Sequence, residues 1–136
     1  PPPHPPPPHL FFFKQKTAYA LGVRLVCSEM CLRDRFNSVL LNFYRNGNDS
    51  MGWHSDDEWE MGLDPVIASI SLGSPRKMKF RHRFDSQVSN FALELSQGSL
   101  LIMAGTTQKF WQHEIPKTKK SVGERLNLTF RFIQSR

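Results

Sequence analysis

The segment Trp53-His54-Ser55-Asp56-Asp57-Glu58 concentrates the side chains with the strongest chemical bias in the chain. In an extended backbone alternate side chains share a face, so His54 and Asp56 project together and can reach a single ion. One imidazole nitrogen and one carboxylate oxygen supply two ligands of a two-His-one-carboxylate site, which holds Fe(II) and leaves positions open for a cosubstrate and oxygen. Alone, H-x-D suits a polar turn with solvated acids equally well. A completing histidine has to come from a later strand, where His82 and His113 remain. His113 lies in the β-favouring Phe110-Trp111-Gln112-His113, whereas Lys79, Arg81 and Arg83 crowd His82 with cations that disfavour a metal. The alternative for His113 is a hydrogen-bonded core histidine.

A second constellation is Arg125-Leu126-Asn127-Leu128-Thr129-Phe130-Arg131. As a strand it places Arg125, Asn127, Thr129 and Arg131 on one face and Leu126, Leu128, Phe130 and Phe132 on the other. With the apolar face against a second sheet, the arginines either reach solvent or line a cavity holding an anion, because buried charge requires a partner. A dicarboxylate would engage both guanidiniums through charge-assisted hydrogen bonds.

The elements that must position these residues are mostly strands. Alternation and β-rich runs predict them at Ser38 to Tyr44, Val66 to Leu72, Lys77 to Arg83, Phe91 to Leu95, Leu100 to Met103, Phe110 to Glu114 and Leu126 to Phe132. Turn signals separate them at Asn46-Gly47-Asn48-Asp49, Gly73-Ser74-Pro75, Asp85-Ser86, Gln97-Gly98 and Gly105. Ser28 is placed to cap a short helix through Met30, Leu32 and Phe36. Many short strands with little helix predict an all-β core with minor helix, an antiparallel sandwich or jelly roll.

The 136 residues suit one domain. Seven of the ten prolines lie in Pro1 to Pro8, and Phe13-Lys14-Gln15-Lys16-Thr17-Ala18-Tyr19 reads as translated sequencing-adapter DNA. Residues 1–19 are therefore expected to be a non-native or disordered tail, with the domain over 20–136 and its core over about 36–134. Cys27 and Cys31 are too few for a disulfide framework and too isolated for a zinc site. No apolar run approaches the roughly 18 residues of a membrane span, so a soluble intracellular protein with no membrane partner is expected. The net charge of +6 permits nucleic-acid binding without requiring it.

Together, Asn42-Phe43-Tyr44, His54 to Glu58, His113 and Arg125 to Arg131 resemble the AlkB family of Fe(II)/2-oxoglutarate dioxygenases, which repair alkylated nucleic-acid bases. The similarity runs from about Phe36 to Phe132 and includes Phe36-Asn37-Ser38 and Pro65-Val66-Ile67-Ala68-Ser69. It implies a double-stranded β-helix of the jelly-roll type, with His54, Asp56 and His113 as iron ligands. Asn42, Tyr44, Arg125, Asn127, Thr129 and Arg131 would surround 2-oxoglutarate, with Arg131 on its distal carboxylate. Asp57 matches the position that contacts the target base, with Glu58 beside it. The implied reaction uses Fe(II), 2-oxoglutarate and O2 to demethylate bases such as 1-methyladenine and 3-methylcytosine in DNA or RNA, releasing formaldehyde, succinate and CO2.

The resemblance further implies a monomer, cytoplasmic in a bacterium or nuclear in a eukaryote. Relatives carry an N-terminal lid over the flipped base, and only Ala20 to Arg35 stand before the core here, which predicts weakened base recognition. An AlkB-like oxygenase on a non-nucleic-acid substrate and an inactive truncated fragment are the alternatives. Lys77, Lys79, Arg81 and Arg83 share a strand face opposite Met78 and Phe80 and either track phosphates or are simply solvated. Lys117, Lys119 and Lys120 form a second basic group, while Trp53 and Trp59 are stacking surfaces or core.

Overall fold

A computed structural model describes residues 6–14 and 36–134. Its strands are β1 His9–Phe13, β2 Ser38–Tyr44, β3 Met51–His54, β4 Ile67–Gly73, β5 Arg76–His82, β6 Phe91–Leu95, β7 Leu100–Ala104, β8 Trp111–Ile115 and β9 Arg125–Arg131. They form a five-stranded sheet in the order β1-β7-β4-β9-β2 and a four-stranded sheet in the order β3-β8-β5-β6. All pairings are antiparallel. This is the jelly-roll architecture expected from the strand pattern. The described helical elements are a 3-10 turn at Trp59–Met61 and a one-turn helix, α1, at Thr107–Phe110. No helix among the described residues is long and apolar enough to cross a membrane.

The main core fills the space between the sheets. Ile67, Leu101 and Met103 meet Met78, Phe80 and Trp111 there, and Phe80 is fully buried, stacked on Phe91 with ring centroids 4.8 Å apart. Burying a phenylalanine side chain of this kind is worth about 2–3 kcal/mol. In β5, buried Met78 and Phe80 alternate with exposed Lys77 and Lys79, so the charged-apolar alternation of the sequence survives as the two faces of the strand.

Strand β9, between β4 and β2, turns the other way from the packing considered in the sequence. Its polar face, with Arg125, Asn127 and Thr129 buried, looks between the sheets. Leu128 and Phe130 lie on the outside with Ala68, Ile70 and Leu100 as a second, smaller cluster. Gly73 ends β4 at φ +94°, where a Cβ would collide with the Glu124 backbone, so only glycine lets β9 begin so close to β4.

Two expectations need adjusting. Residues 9–13, set aside with the tail, form an edge strand on β7, and the His9 amide donates to Thr107 Oγ1 at 2.9 Å. Phe110 closes α1 and does not start a strand, which shifts β8 to Trp111–Ile115. The helix expected from Ser28, with Cys27 and Cys31, lies outside the described residues apart from Phe36.

Candidate metal centre

His54 ends β3 and His113 lies directly opposite it on β8, so one cross-strand pair sets two imidazoles side by side with ring centroids 4.3 Å apart. Asp56 follows two residues beyond His54. The ligand atoms of His54, Asp56 and His113 all lie within 4.8 Å of one another, and Asp56 Oδ2 is 3.6 Å from His113 Nε2. Nδ1 of His54 is 2.8 Å from the Gly52 carbonyl oxygen. A carbonyl only accepts, so this contact is made by an Nδ1–H and leaves Nε2 as the nitrogen that would ligate a metal.

Burial pushes the His113 imidazole down to about 3, and His54 acts in the same direction. It is therefore neutral, the form that ligates. Burial also raises the Asp56 carboxyl. The charges of His54 and Arg131 oppose that rise, while Glu58 and Asp57 add to it. A divalent cation would reverse this balance and stabilise the carboxylate. Two nitrogens and one oxygen on one side of a cavity fit a facial Fe(II) set.

The supporting shell contains residues that the sequence did not single out. Gln108, buried in α1, accepts the Asp56 backbone N–H on Oε1 at 2.9 Å, and Ser55 Oγ donates to the Trp111 carbonyl at 2.8 Å. Both tie the segment after β3 to the α1–β8 corner. A lone glutamine after a glycine turn carries no periodic or motif signal, so only the fold exposes its role.

Next to the ligands lies a cavity of about 280 Å³ whose lining includes Asn42, Tyr44, Asn127, Thr129, Arg125 and Arg131. Register explains the grouping, because Asn42 pairs with Asn127 and Tyr44 with Arg125 across β2 and β9. Arg125 is 1% exposed. Its Nη2 donates to Ser71 Oγ at 3.0 Å and Asn127 Oδ1 at 2.9 Å, while Nε and Nη1 have no hydrogen bond among the described residues. Burial lowers the pKa of this guanidinium, as expected of a cation short of counter-charge. Asn127 is itself held by Ser69 Oγ at 2.9 Å and donates to Thr129 Oγ1 at 2.7 Å. Burial raises the Tyr44 phenol against the pull of Arg125 and Arg76, so it stays protonated and able to donate. These orphaned donors fit a carboxylate.

Arg131 lies beside the metal set. Its Nη1 is 3.7 Å from Asp56 Oδ1, at the metal end of the cavity, and Arg125 occupies the far end beside Tyr44.

Asp57 and Glu58 are both exposed at the rim. Glu58 lines the cavity, and Asp57 is ion-paired with Arg83, whose Nη1 is 2.5 Å from Asp57 Oδ2 and 3.2 Å from the Gln108 carbonyl. The Arg81 guanidinium covers the Trp53 ring at 4.4 Å, and Trp59 is 54% exposed. His82 lies away from the metal set, its Nδ1 accepting the Asp85 amide at 3.0 Å.

Residues 10–131 match the model of the 2OG-Fe(II) oxygenase superfamily. The chain is 46% identical over 105 residues to rat alpha-ketoglutarate-dependent dioxygenase alkB homolog 3, covering 72% of this chain and 36% of that protein. It is 44% identical over 105 residues to human DNA oxidative demethylase ALKBH2, covering 72% of this chain and 40% of that protein. The solved structure of OsALKBH1 superposes with a TM-score of 0.56 at 25% identity, covering 68% of this chain and 48% of that one. The chain thus spans less than half the length of the relatives it matches.

Proposed function

The chain belongs to the 2OG-Fe(II) oxygenase superfamily, and from that premise we propose that it oxidatively demethylates N-alkylated bases of the 1-methyladenine and 3-methylcytosine type in DNA or RNA. The observation that carries the reading is the juxtaposition of the His54–Asp56–His113 set with a buried, under-satisfied Arg125 across one cavity. The names of the relatives favour nucleic acid as the substrate.

His54 Nε2, His113 and one Asp56 oxygen would hold the iron. Arg125, with Tyr44 and Asn127 beside it, takes the distal carboxylate of 2-oxoglutarate, and Asn42 and Thr129 flank the cosubstrate. Arg131 steadies the Asp56 carboxylate and the cosubstrate end nearest the metal. With cosubstrate and O2 the bound iron supplies the oxidant that hydroxylates the N-methyl group, whose product collapses to formaldehyde and the restored base. Asp57 and Glu58 provide negative charge at the rim for a cationic lesion, and the Arg83 pairing holds Asp57 in place while offsetting part of its charge. The target base must leave its stack to reach this cavity. A monomer acting inside the cell, where nucleic acid is found, completes the proposal.

The test is an anaerobic titration with Fe(II) and 2-oxoglutarate, followed by air and a formaldehyde assay on a 1-methyladenine oligonucleotide. Formaldehyde that depends on all components, and is lost with iron binding in His54→Ala, is the expected result. Cosubstrate binding without formaldehyde from any methylated oligonucleotide would overturn the substrate assignment.

A further inference from the structure

We propose that Arg76 is a positioning residue of the cosubstrate pocket, its buried charge acting through Tyr44 and alongside Arg125 to favour a ligand with a distal carboxylate. The proposal rests on placing the distal carboxylate of 2-oxoglutarate beside Arg125. In sequence Arg76 stands in a run of basic residues with Lys77, Lys79, Arg81 and Arg83. In the fold it parts from the lysines. Arg76, Met78 and Phe80 form the buried row of β5, while Lys77 and Lys79 are exposed on the other face. The Arg76 guanidinium lies 5.4 Å from the centre of the Tyr44 ring, and the Arg125 guanidinium lies 5.1 Å from the same ring. Tyr44 and Arg125 line the cavity and Arg76 does not. The four-stranded sheet thus sets a second cation behind the end of the cavity that the five-stranded sheet closes with Arg125.

Arg76 is 4% exposed, and its guanidinium donates to the carbonyl oxygens of Asn46 at 3.1 Å, Asp49 at 2.8 Å and Pro116 at 2.7 Å. No ion pair among the described residues includes it. Carbonyl dipoles satisfy the donors and leave the charge without a counter-ion, a costly arrangement if tying two loops together were its whole role. Those loops already share a tie, the Thr118 amide donating to the Gly47 carbonyl at 2.9 Å. The charge is felt instead at the end of the cavity. Burial dominates the acidity of both Tyr44 and Arg125, and Arg76 acts on each, drawing the phenol down against its burial and adding to the fall at Arg125. Two buried cations repel each other, so the ligand-free pocket is under electrostatic tension that a carboxylate relieves. A phenol held against two cations is also the stronger hydrogen-bond donor to that carboxylate.

The test compares 2-oxoglutarate with 2-oxopentanoate, which has the same keto-acid end and a methyl group where the distal carboxylate would be. Each is titrated calorimetrically into the Mn(II)-loaded full chain as wild type, Arg76→Gln and Arg76→Lys. Wild type should prefer 2-oxoglutarate. Arg76→Gln keeps amide donors for the loop carbonyls and removes the charge, so its affinity for 2-oxoglutarate should fall about 3- to 10-fold. Its affinities for 2-oxopentanoate and for Mn(II) should stay at the wild-type values. Arg76→Lys keeps the charge without the fork and should retain most of the preference. Equal losses for both acids would reduce Arg76 to a loop tie and overturn the proposal. Where Arg76→Gln does not fold, Arg76→Lys carries the test by itself, since a folded lysine variant without the preference would show that the fork matters and the charge does not. Wild type that binds the two acids equally would refute the placement of the distal carboxylate beside Arg125, whereas a wild-type preference that survives intact in Arg76→Gln would refute the role of Arg76 alone.

Discussion

Two nitrogens of the Arg125 guanidinium sit in the interior without a hydrogen bond among the described residues, while the third serves Ser71 and Asn127. Leaving buried cationic donors unmade is costly, so the site gains most when an anion arrives. Charge-assisted hydrogen bonds of this type are worth about 1.5–3 kcal/mol, so Arg125→Ala should weaken 2-oxoglutarate binding about 10- to 100-fold by isothermal titration. Arg125→Lys should recover only part of it, because an ammonium lacks the fork. Arg131→Ala is expected to weaken the cosubstrate and the metal together, since Arg131 lies against Asp56. An Arg131→Ala protein with unchanged affinity for both would remove that residue from the site. The sequence showed that both arginines share a face, because a period of two is visible in one strand. Which arginine lies near the metal depends on how β9 pairs with β2 and β4, and that register leaves no mark within the strand itself.

At the level of elements, the metal set depends on a corner that no pattern announced. α1 is a single turn, too short for helical periodicity, yet Gln108 within it holds the Asp56 backbone and its carbonyl holds Arg83. Outer-shell partners of this kind typically change metal affinity about 10- to 100-fold. Gln108→Ala should lower Co(II) affinity within that range, read from the d–d spectrum, while the far end of the cosubstrate pocket is untouched. Gln108→Glu, which keeps the acceptor, should retain more affinity.

The turn after β2 offers a pH test of a different element. Asp49 accepts the Arg45 amide at 2.8 Å and its Nε at 2.9 Å, and these hydrogen bonds hold the carboxyl well below its ordinary value of 3.8. A depressed acid stabilises the fold above that ordinary value and loses the contribution as pH falls through the depressed one. The melting-temperature gap between wild type and Asp49→Asn should therefore be full at neutral pH and close progressively under strong acid. Strand positions were legible because alternation survives folding. The outward apolar face of β9 was not, since the choice of which face meets the other sheet rests on a partner sheet absent from any local window.

Across the whole molecule, the centre between the sheets is divided. One part is apolar, around Phe80 and Ile67, and the other is a polar cavity closed by Arg125, Asn127 and the metal set. A fold with a buried guanidinium at its centre that has no carboxylate partner among the described residues gives up stability in the ligand-free state, and ligand binding returns it by mass action. Manganese as a redox-silent metal, with 2-oxoglutarate at about 100 times its dissociation constant, should add about 2.7 kcal/mol, seen as a rise in melting temperature. Arg125→Met keeps the volume and removes the buried charge. Its ligand-free form should melt at or above the wild-type temperature, whereas the cosubstrate-dependent rise should vanish. A ligand-free Arg125→Met protein that melts well below wild type would mean that Ser71 and Asn127 already satisfy the guanidinium. The cavity would then be part of the core and not a site kept open at the expense of stability.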